Sequence, residues 1–294
     1  MKRILIIFLA LTLMLSGCKK EEEKAPSYPV EAFGETFAER PSAVLSLNPA
    51  GEEIMKVLGY GHSLLDASEA FKDRENPEAD EVLKLNPDFV ILSPETRKSV
   101  VDALTEKGVK TVTLDRFPHD FELLSFLEEM SLIFEGLNDI ELKNQQLEYY
   151  FDATREALLT EGQKLLEENG LEAPAFLFVT GENFALTSDT MEAAFLEEMG
   201  MVNLAGDREN YFVPFNELPR KPDILIYPSH LPKIAEALGG NLEASYDYER
   251  ILHQSPSVFN MREELLEDIF GEEIEITNNF MPLPEPPSEE EAEN

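Results

Sequence analysis

The 294-residue chain has one cysteine, no tryptophan and four histidines. A single cysteine excludes a disulfide framework, a thiolate zinc cluster and, given its place at Cys18 near the start, a cysteine nucleophile. Cations are scarce as well: 24 Lys plus Arg stand against 59 Asp plus Glu, for a formal charge of −35. A basic nucleic-acid face is thereby ruled out. The sequence also has no GxSxG elbow, no HExxH and no Walker A motif, which removes the commonest signatures of hydrolases, zinc peptidases and P-loop NTPases. What is plentiful is core material, with 43% hydrophobic residues and 19 Phe, so the charge belongs to a folded protein rather than to a disordered one.

The two ends read differently from the middle. Residues 1–18, MKRILIIFLALTLMLSGC, have a basic start, an apolar run too short to span a bilayer comfortably, and small residues before Cys18. Residues 1–17 are a secretory signal, and Leu15-Ser16-Gly17-Cys18 resembles a bacterial lipobox, which makes Cys18 the lipidation site. Residues 18–37 are then expected to be the lipidated cysteine and a polar tether, and residues 282–294, PLPEPPSEEEAEN, a disordered acidic tail.

Between them, strand and helix signals alternate. Strands are expected at Ser42–Leu47, Ser63–Ala67, Phe89–Ser93, Val109–Leu114 and Ala175–Val179, and within Pro219–Ser229; a last one is possible at Glu273–Thr277. Helices are expected after Asn48-Pro49, at Ala79–Leu85, Thr96–Lys107, Thr190–Glu198, Leu231–Leu238 and Met261–Phe270. From Phe121 to Asn169 no strand signal occurs, and Asp139–Glu168 reads as one helix of about 45 Å, long enough to join two domains. A break near Gly162 is the other reading. LKLNPDFVILSP (83–94) and LPRKPDILIYPS (218–229) align without a gap, each placing Pro-Asp ahead of an apolar strand, which points to two related lobes.

Four stretches, RPSAVLSLNPAGEEIMKVLG (40–59), ADEVLKLNPDFVILS (79–93), FLEEMGMVNLA (195–205) and FNELPRKPDILIYPS (215–229), follow one another behind the lipobox. In them the chain resembles the extracytoplasmic solute-binding lipoproteins of ABC importers for ferric siderophores, haem or cobalamin. The resemblance implies an α/β fold of two three-layer lobes, 38–138 and 170–281, joined by a single long helix over 139–169. It also implies a monomer on the outer face of the cell membrane, with no resident cofactor and no catalysis, that carries a metal chelate or corrinoid to a permease and its ATPase. Docking on the permease would use acids on the lobe tops: Asp80 at the family's N-lobe position, Glu217 near the equivalent place in the C-lobe, where the matching offset falls on Phe215, and Glu53 on the first helix.

Ligand groups are expected on loops after strand C-termini, where open α/β sheets bind. These are Asn48, Ser93, Glu95, Thr180, Glu182, Asn183, Phe184, Tyr227, Ser229 and His230, with Tyr211 and Phe212 nearby. Aromatic and small polar groups suit a large flat ligand. His230 could ligate a metal, but His62, His119 and His253 lack metal-ligand spacing with it. Arginines near these loops are few (Arg97, Arg116, Arg208), which disfavours a strongly anionic siderophore. A secreted α/β enzyme or a scaffold lipoprotein on the same fold remain as alternatives, and the family's full C-terminal helix has no clear counterpart here.

Overall fold

The computed structural model describes residues 27–66, 71, 77–181, 184–206, 218, 220–246 and 255–274. Cys18, the tail, the ligand-loop residues Glu182, Asn183, Tyr211 and Phe212, and the docking acid Glu217 lie outside them.

The described chain opens with an antiparallel hairpin, β1 (Val30–Ala32) and β2 (Glu35–Phe37). Val30, Ala32 and Phe37 are buried in the main core. Residues 27–37 are therefore part of the body, not tether as the sequence suggested. β3 (Val44–Ser46) follows and leads into α1 (Pro49–Val57). Asn48 caps α1: its Oδ1 accepts the Ala50 N–H at 3.0 Å, and Pro49 supplies the fixed φ of a first helical position. Over 63–66, the described part of the strand expected at 63–67, no strand is formed: Gly61–Ser63 is a 3-10 turn, and Leu64 makes a single bridge to Val44. α2 (Ala79–Lys84), β4 (Phe89–Leu92), α3 (Lys98–Glu106) and β5 (Lys110–Thr113) complete the N-lobe, whose sheet is parallel in the order β3-β4-β5. All four residues of β4 are buried, as befits a central strand covered on both faces.

α4 (Asp120–Glu168) is the long connecting helix. It is broken once, at Gly136, whose φ of 69° and ψ of −179° are nearly exclusive to glycine, and the chain doubles back there, since Arg155 meets Asp120 at 3.0 Å; the connecting part, 137–168, begins within two residues of where the periodicity placed it. No break occurs at Gly162, which packs against the Met199 side chain of the C-lobe.

The C-lobe comprises β6 (Ala175–Gly181), β7 (Phe184–Ala185), α5 (Met191–Glu198), β8 (Val202–Asn203), β9 (Ile224–Pro228), α6 (Pro232–Leu238), β10 (Leu242–Tyr246) and α7 (Val258–Phe270). β6, β9 and β10 are parallel neighbours, β8 runs parallel to the start of β6, and β7 pairs antiparallel with its end. Residues 273–274, expected to begin a strand, are coil, held where the Ile274 N–H donates to Glu267 Oε1.

The Pro-Asp echo has a physical role. The Asp88 carboxylate accepts the N–H groups of Ser42 and Ala43, at the start of β3. In the other lobe Asp223 accepts the Ala175 N–H at the start of β6 at 2.8 Å. The backbones match too: Asp88 N–H donates to the Ala43 carbonyl at 2.9 Å, and Asp223 N–H to the Ala175 carbonyl at 2.7 Å. Each aspartate thus pins the entry of its own strand to the entry of the neighbouring one, and β3-β4-β5 corresponds to β6-β9-β10. The fold is two α/β lobes linked by one long helix.

Candidate functional site

Parallel strands carry their ligand loops at their C-terminal ends. In the N-lobe those ends are occupied by Asn48, Ser93, Glu95 and Arg116. Asn48 spans two of them, since its Nδ2 donates to the Leu114 carbonyl beyond β5 at 3.1 Å while its Oδ1 caps α1. Its amide is thus largely committed to the scaffold. Ser93 Oγ donates to Glu95, and the Ser93 N–H is held by Thr96 Oγ1 at 3.0 Å. The Ser93 hydroxyl, the backbone N–H of Glu95 and the nearby Arg116 together hold the Glu95 carboxyl below its ordinary pKa. It is exposed and anionic at the mouth of the N-lobe.

In the C-lobe, Thr180 and Tyr227 are half-buried at the ends of β6 and β9, while Ser229 and His230 are exposed beyond β9, and the Ser229 N–H is fixed to the Tyr246 carbonyl at 2.9 Å. Phe184, at the start of β7, is 48% exposed. Tyr246, which the sequence reading passed over, donates its hydroxyl to the Val179 carbonyl at 2.6 Å and so braces β6 from β10. Among the described residues no group of three or more His, Cys, Asp or Glu is placed to hold a metal ion.

Behind these loops, a line of charges joins the lobes. Arg262 of α7 is 1% exposed and lies between the rings of Phe195 and Phe259, 4.4 and 5.5 Å from their centroids. Its two terminal nitrogens donate to the two Asp120 oxygens at 2.9 and 2.5 Å, and one also reaches the Met191 carbonyl at 3.2 Å. Asp120 further accepts from Arg155 at 3.0 Å, and Arg155 pairs with Glu198. Asp120 opens α4 on the N-lobe side, whereas Arg262 and Glu198 belong to the C-lobe, so the cluster ties the lobes together. A second tie runs from Glu53: its carboxylate accepts the Ser257 N–H at 3.0 Å, at the start of α7. Glu53, expected as a surface acid, is half-buried and has this intramolecular partner.

Glu192, at the start of α5, is 3% exposed and faces Arg116, Arg262 and Asp120. Burial raises its pKa; its own backbone N–H and the two arginines oppose the rise without cancelling it, and Asp120 adds to it. The folded chain therefore keeps a proton there that the unfolded chain releases. Stability should be unaffected by Glu192 below its ordinary value of 4.5 and fall as pH climbs from there through the raised value. Glu192→Gln should consequently melt higher than the parent at pH 7 to 8, with the gap closing toward pH 4; thermal scans across that range check it.

Two cavities lie away from the strand ends. One, of about 540 Å³, is lined by Asp80, Leu83, Lys84, Asn86, Pro87, Lys107 and Val109; it places Asp80, exposed near the start of α2, beside two lysines. The other, of about 440 Å³, runs along α4 and α5 between Phe121, Phe151, Arg155 and Phe195.

No protein family model matches the chain, and no curated protein matches it. Solved structures do. The haem binding protein HmuT matches with a TM-score of 0.58 at 17% identity, over 87% of this chain and 94% of that one. The periplasmic vitamin B12 binding protein BtuF of Vibrio cholerae matches with a TM-score of 0.56 at 14% identity, over 78% and 96%. A periplasmic binding protein from Veillonella parvula matches with a TM-score of 0.61 at 14% identity, over 84% and 98%. At such identities the likeness speaks for the backbone alone: this chain has the fold of the periplasmic solute-binding proteins that include haem-, iron- and vitamin-B12-binding members.

Proposed function

We propose that the chain is the solute-binding lipoprotein of an ABC importer, which captures a metal chelate (a ferric siderophore, haem or cobalamin) between its lobes and hands it to a permease driven by an ATPase. The observation that carries this reading is the architecture: two parallel α/β lobes with their ligand loops at strand C-termini, mounted on one long helix, shared with structures whose names record haem, iron and vitamin B12 binding. The stiff connection and the two interlobe ties favour a cleft that changes little on binding.

In this reading Cys18 carries the lipid and the mature chain sits on the extracytoplasmic face. Ligand contacts come from Asn48, Ser93, Glu95, Thr180, Phe184, Tyr227, Ser229 and His230, together with Glu182, Asn183, Tyr211 and Phe212. Asp80 and Glu217 dock on the permease. Glu53 is the weaker docking candidate, because its carboxylate already holds the start of α7. The exposed Glu95 carboxylate and the Arg116 beside it give the N-lobe rim no excess of positive charge, which agrees with a ligand that is not strongly anionic.

Titration of the mature protein with cobalamin, haem and several ferric siderophores, followed by tyrosine fluorescence quenching and native mass spectrometry, tests the proposal. One member of the set should bind as a 1:1 complex, and Phe184→Ala should weaken that complex about tenfold, as expected for losing one aromatic anchor. A well-folded chain that binds none of them overturns the metal-chelate reading.

A further inference from the structure

The interruption of α4 is filled by the first described residues. In a continuous helix the Leu137 N–H would bond the Ile133 carbonyl. Here it donates instead to the Ser27 carbonyl at 2.9 Å. The carbonyls this leaves are taken up by the same segment: the Tyr28 hydroxyl is shared between the carbonyls of Ile133 and Phe134 at 3.0 and 3.1 Å, and Ser27 Oγ donates to the Glu135 carbonyl at 3.3 Å. Gly136 is needed twice over, for its positive φ and because a Cβ there would lie 2.8 Å from the Ser27 carbonyl oxygen. A helix kink requires something to satisfy the groups it frees. In this chain, Ser27 and Tyr28 do so.

The kink faces the core of the N-lobe, not solvent. Phe134 stacks on Tyr60 with centroids 4.3 Å apart, and the Tyr60 hydroxyl donates to Glu135 Oε1 at 2.7 Å. Beyond the break, Leu137 to Glu168 forms an arm of about 48 Å that doubles back along residues 120–135, where Arg155 meets Asp120, and carries the C-lobe.

We propose that Ser27 and Tyr28 are positioning residues for the interlobe cleft: by occupying the break in α4 they fix the direction in which its long arm leaves the N-lobe, and with it the separation of the ligand loops. The role of the cleft in binding rests on the function proposed above; the control of lobe separation does not. The arm has other holds, at Lys143 Nζ on the Leu58 carbonyl at 2.8 Å and at Asp120, and these limit the motion to a broadening rather than a collapse.

The test is a distance distribution between spin labels on Glu106→Cys of α3 and Glu236→Cys of α6, both at exposed positions, in a full-length Cys18→Ser chain without added ligand. Tyr28→Phe keeps the ring and removes the donor. It should raise the population outside the parent's main peak about fivefold, the change expected for one lost hydrogen bond. Ser27→Ala, a milder change, should broaden the distribution less. Phe33→Ala loosens the same hairpin where Phe33 meets the Phe126 ring, 5.0 Å between centroids, but leaves the carbonyl bonds alone. It should reproduce the parent's distribution. A Tyr28→Phe distribution that superposes on the parent's, or equal broadening by Phe33→Ala, overturns the proposal. Broadening by Tyr28→Phe in a protein that binds no metal chelate would leave the positioning role standing and remove only the ligand class.

Discussion

Arg262→Ala should destabilise the fold by about 3–5 kcal/mol, measured as the free energy of unfolding in urea, because deleting one partner of a buried ion pair leaves the others without compensation. Arg262 is 1% exposed and both of its terminal nitrogens are bonded to Asp120. Its removal would leave Asp120 with Arg155 alone, strip Glu192 of one of its two facing cations, and open a space between Phe195 and Phe259. Arg262→Lys should recover part of the loss, since the charge returns but the two-pronged geometry does not. The double variant Asp120→Asn/Arg262→Met should cost less than Arg262→Ala, because charge and counter-charge leave together. Equal stability of Arg262→Ala and the parent would show that the lobes are held without this pair.

Gly136→Ala should cost about 2–3 kcal/mol, the range for a side chain forced into a backbone region that is nearly glycine-only. The added Cβ would also press on the Ser27 carbonyl at 2.8 Å, so the chain relieves itself by releasing the strap rather than by moving a flexible side chain. Hydrogen exchange at Leu137 should accelerate in the same variant, because its N–H loses the Ser27 acceptor. Gly170→Ala is the control: its φ of 66° is also positive, but a Cβ there meets nothing within 4 Å, so only the backbone penalty of about 1 kcal/mol remains. If the two variants unfold at the same denaturant concentration, Ser27 is not pressed against the kink.

Much of the architecture was legible because local signals agreed with the final fold. Phe89 to Leu92 reads as a buried parallel strand and is one; the Asn48-Pro49 pair reads as a helix start and caps α1; the two Pro-Asp turns mark equivalent strand entries. The hairpin at 30–37 was hidden because its turn is Phe33-Gly34, with Phe33 at a φ of 53°, where an asparagine would have announced it. β10 reads LEASY, whose alternation of Leu242, Ala244 and Tyr246 is short and lacks β-branched residues. The connecting helix was placed to within two residues; what the pattern did not show is that the helix before it runs into it at Gly136, a break satisfied from 109 positions away, at Ser27. Of the candidate site, the strand-end loops could be placed from the pattern alone. Arg262 could not, since its burial depends on Asp120, 142 residues distant; the one local hint is a cation on the apolar stripe of Val258, Leu265 and Ile269.

The burial of the hairpin shortens any tether that the proposed lipid at Cys18 would provide. Only eight residues, 19 to 26, separate Cys18 from Ser27, and fully extended they reach about 28 Å. If Cys18 carries the lipid proposed above, Ser27 stays within about that distance of it. Any pull along that leash arrives at Gly136, the bend of the strut between the lobes, and not at a loose loop on the periphery.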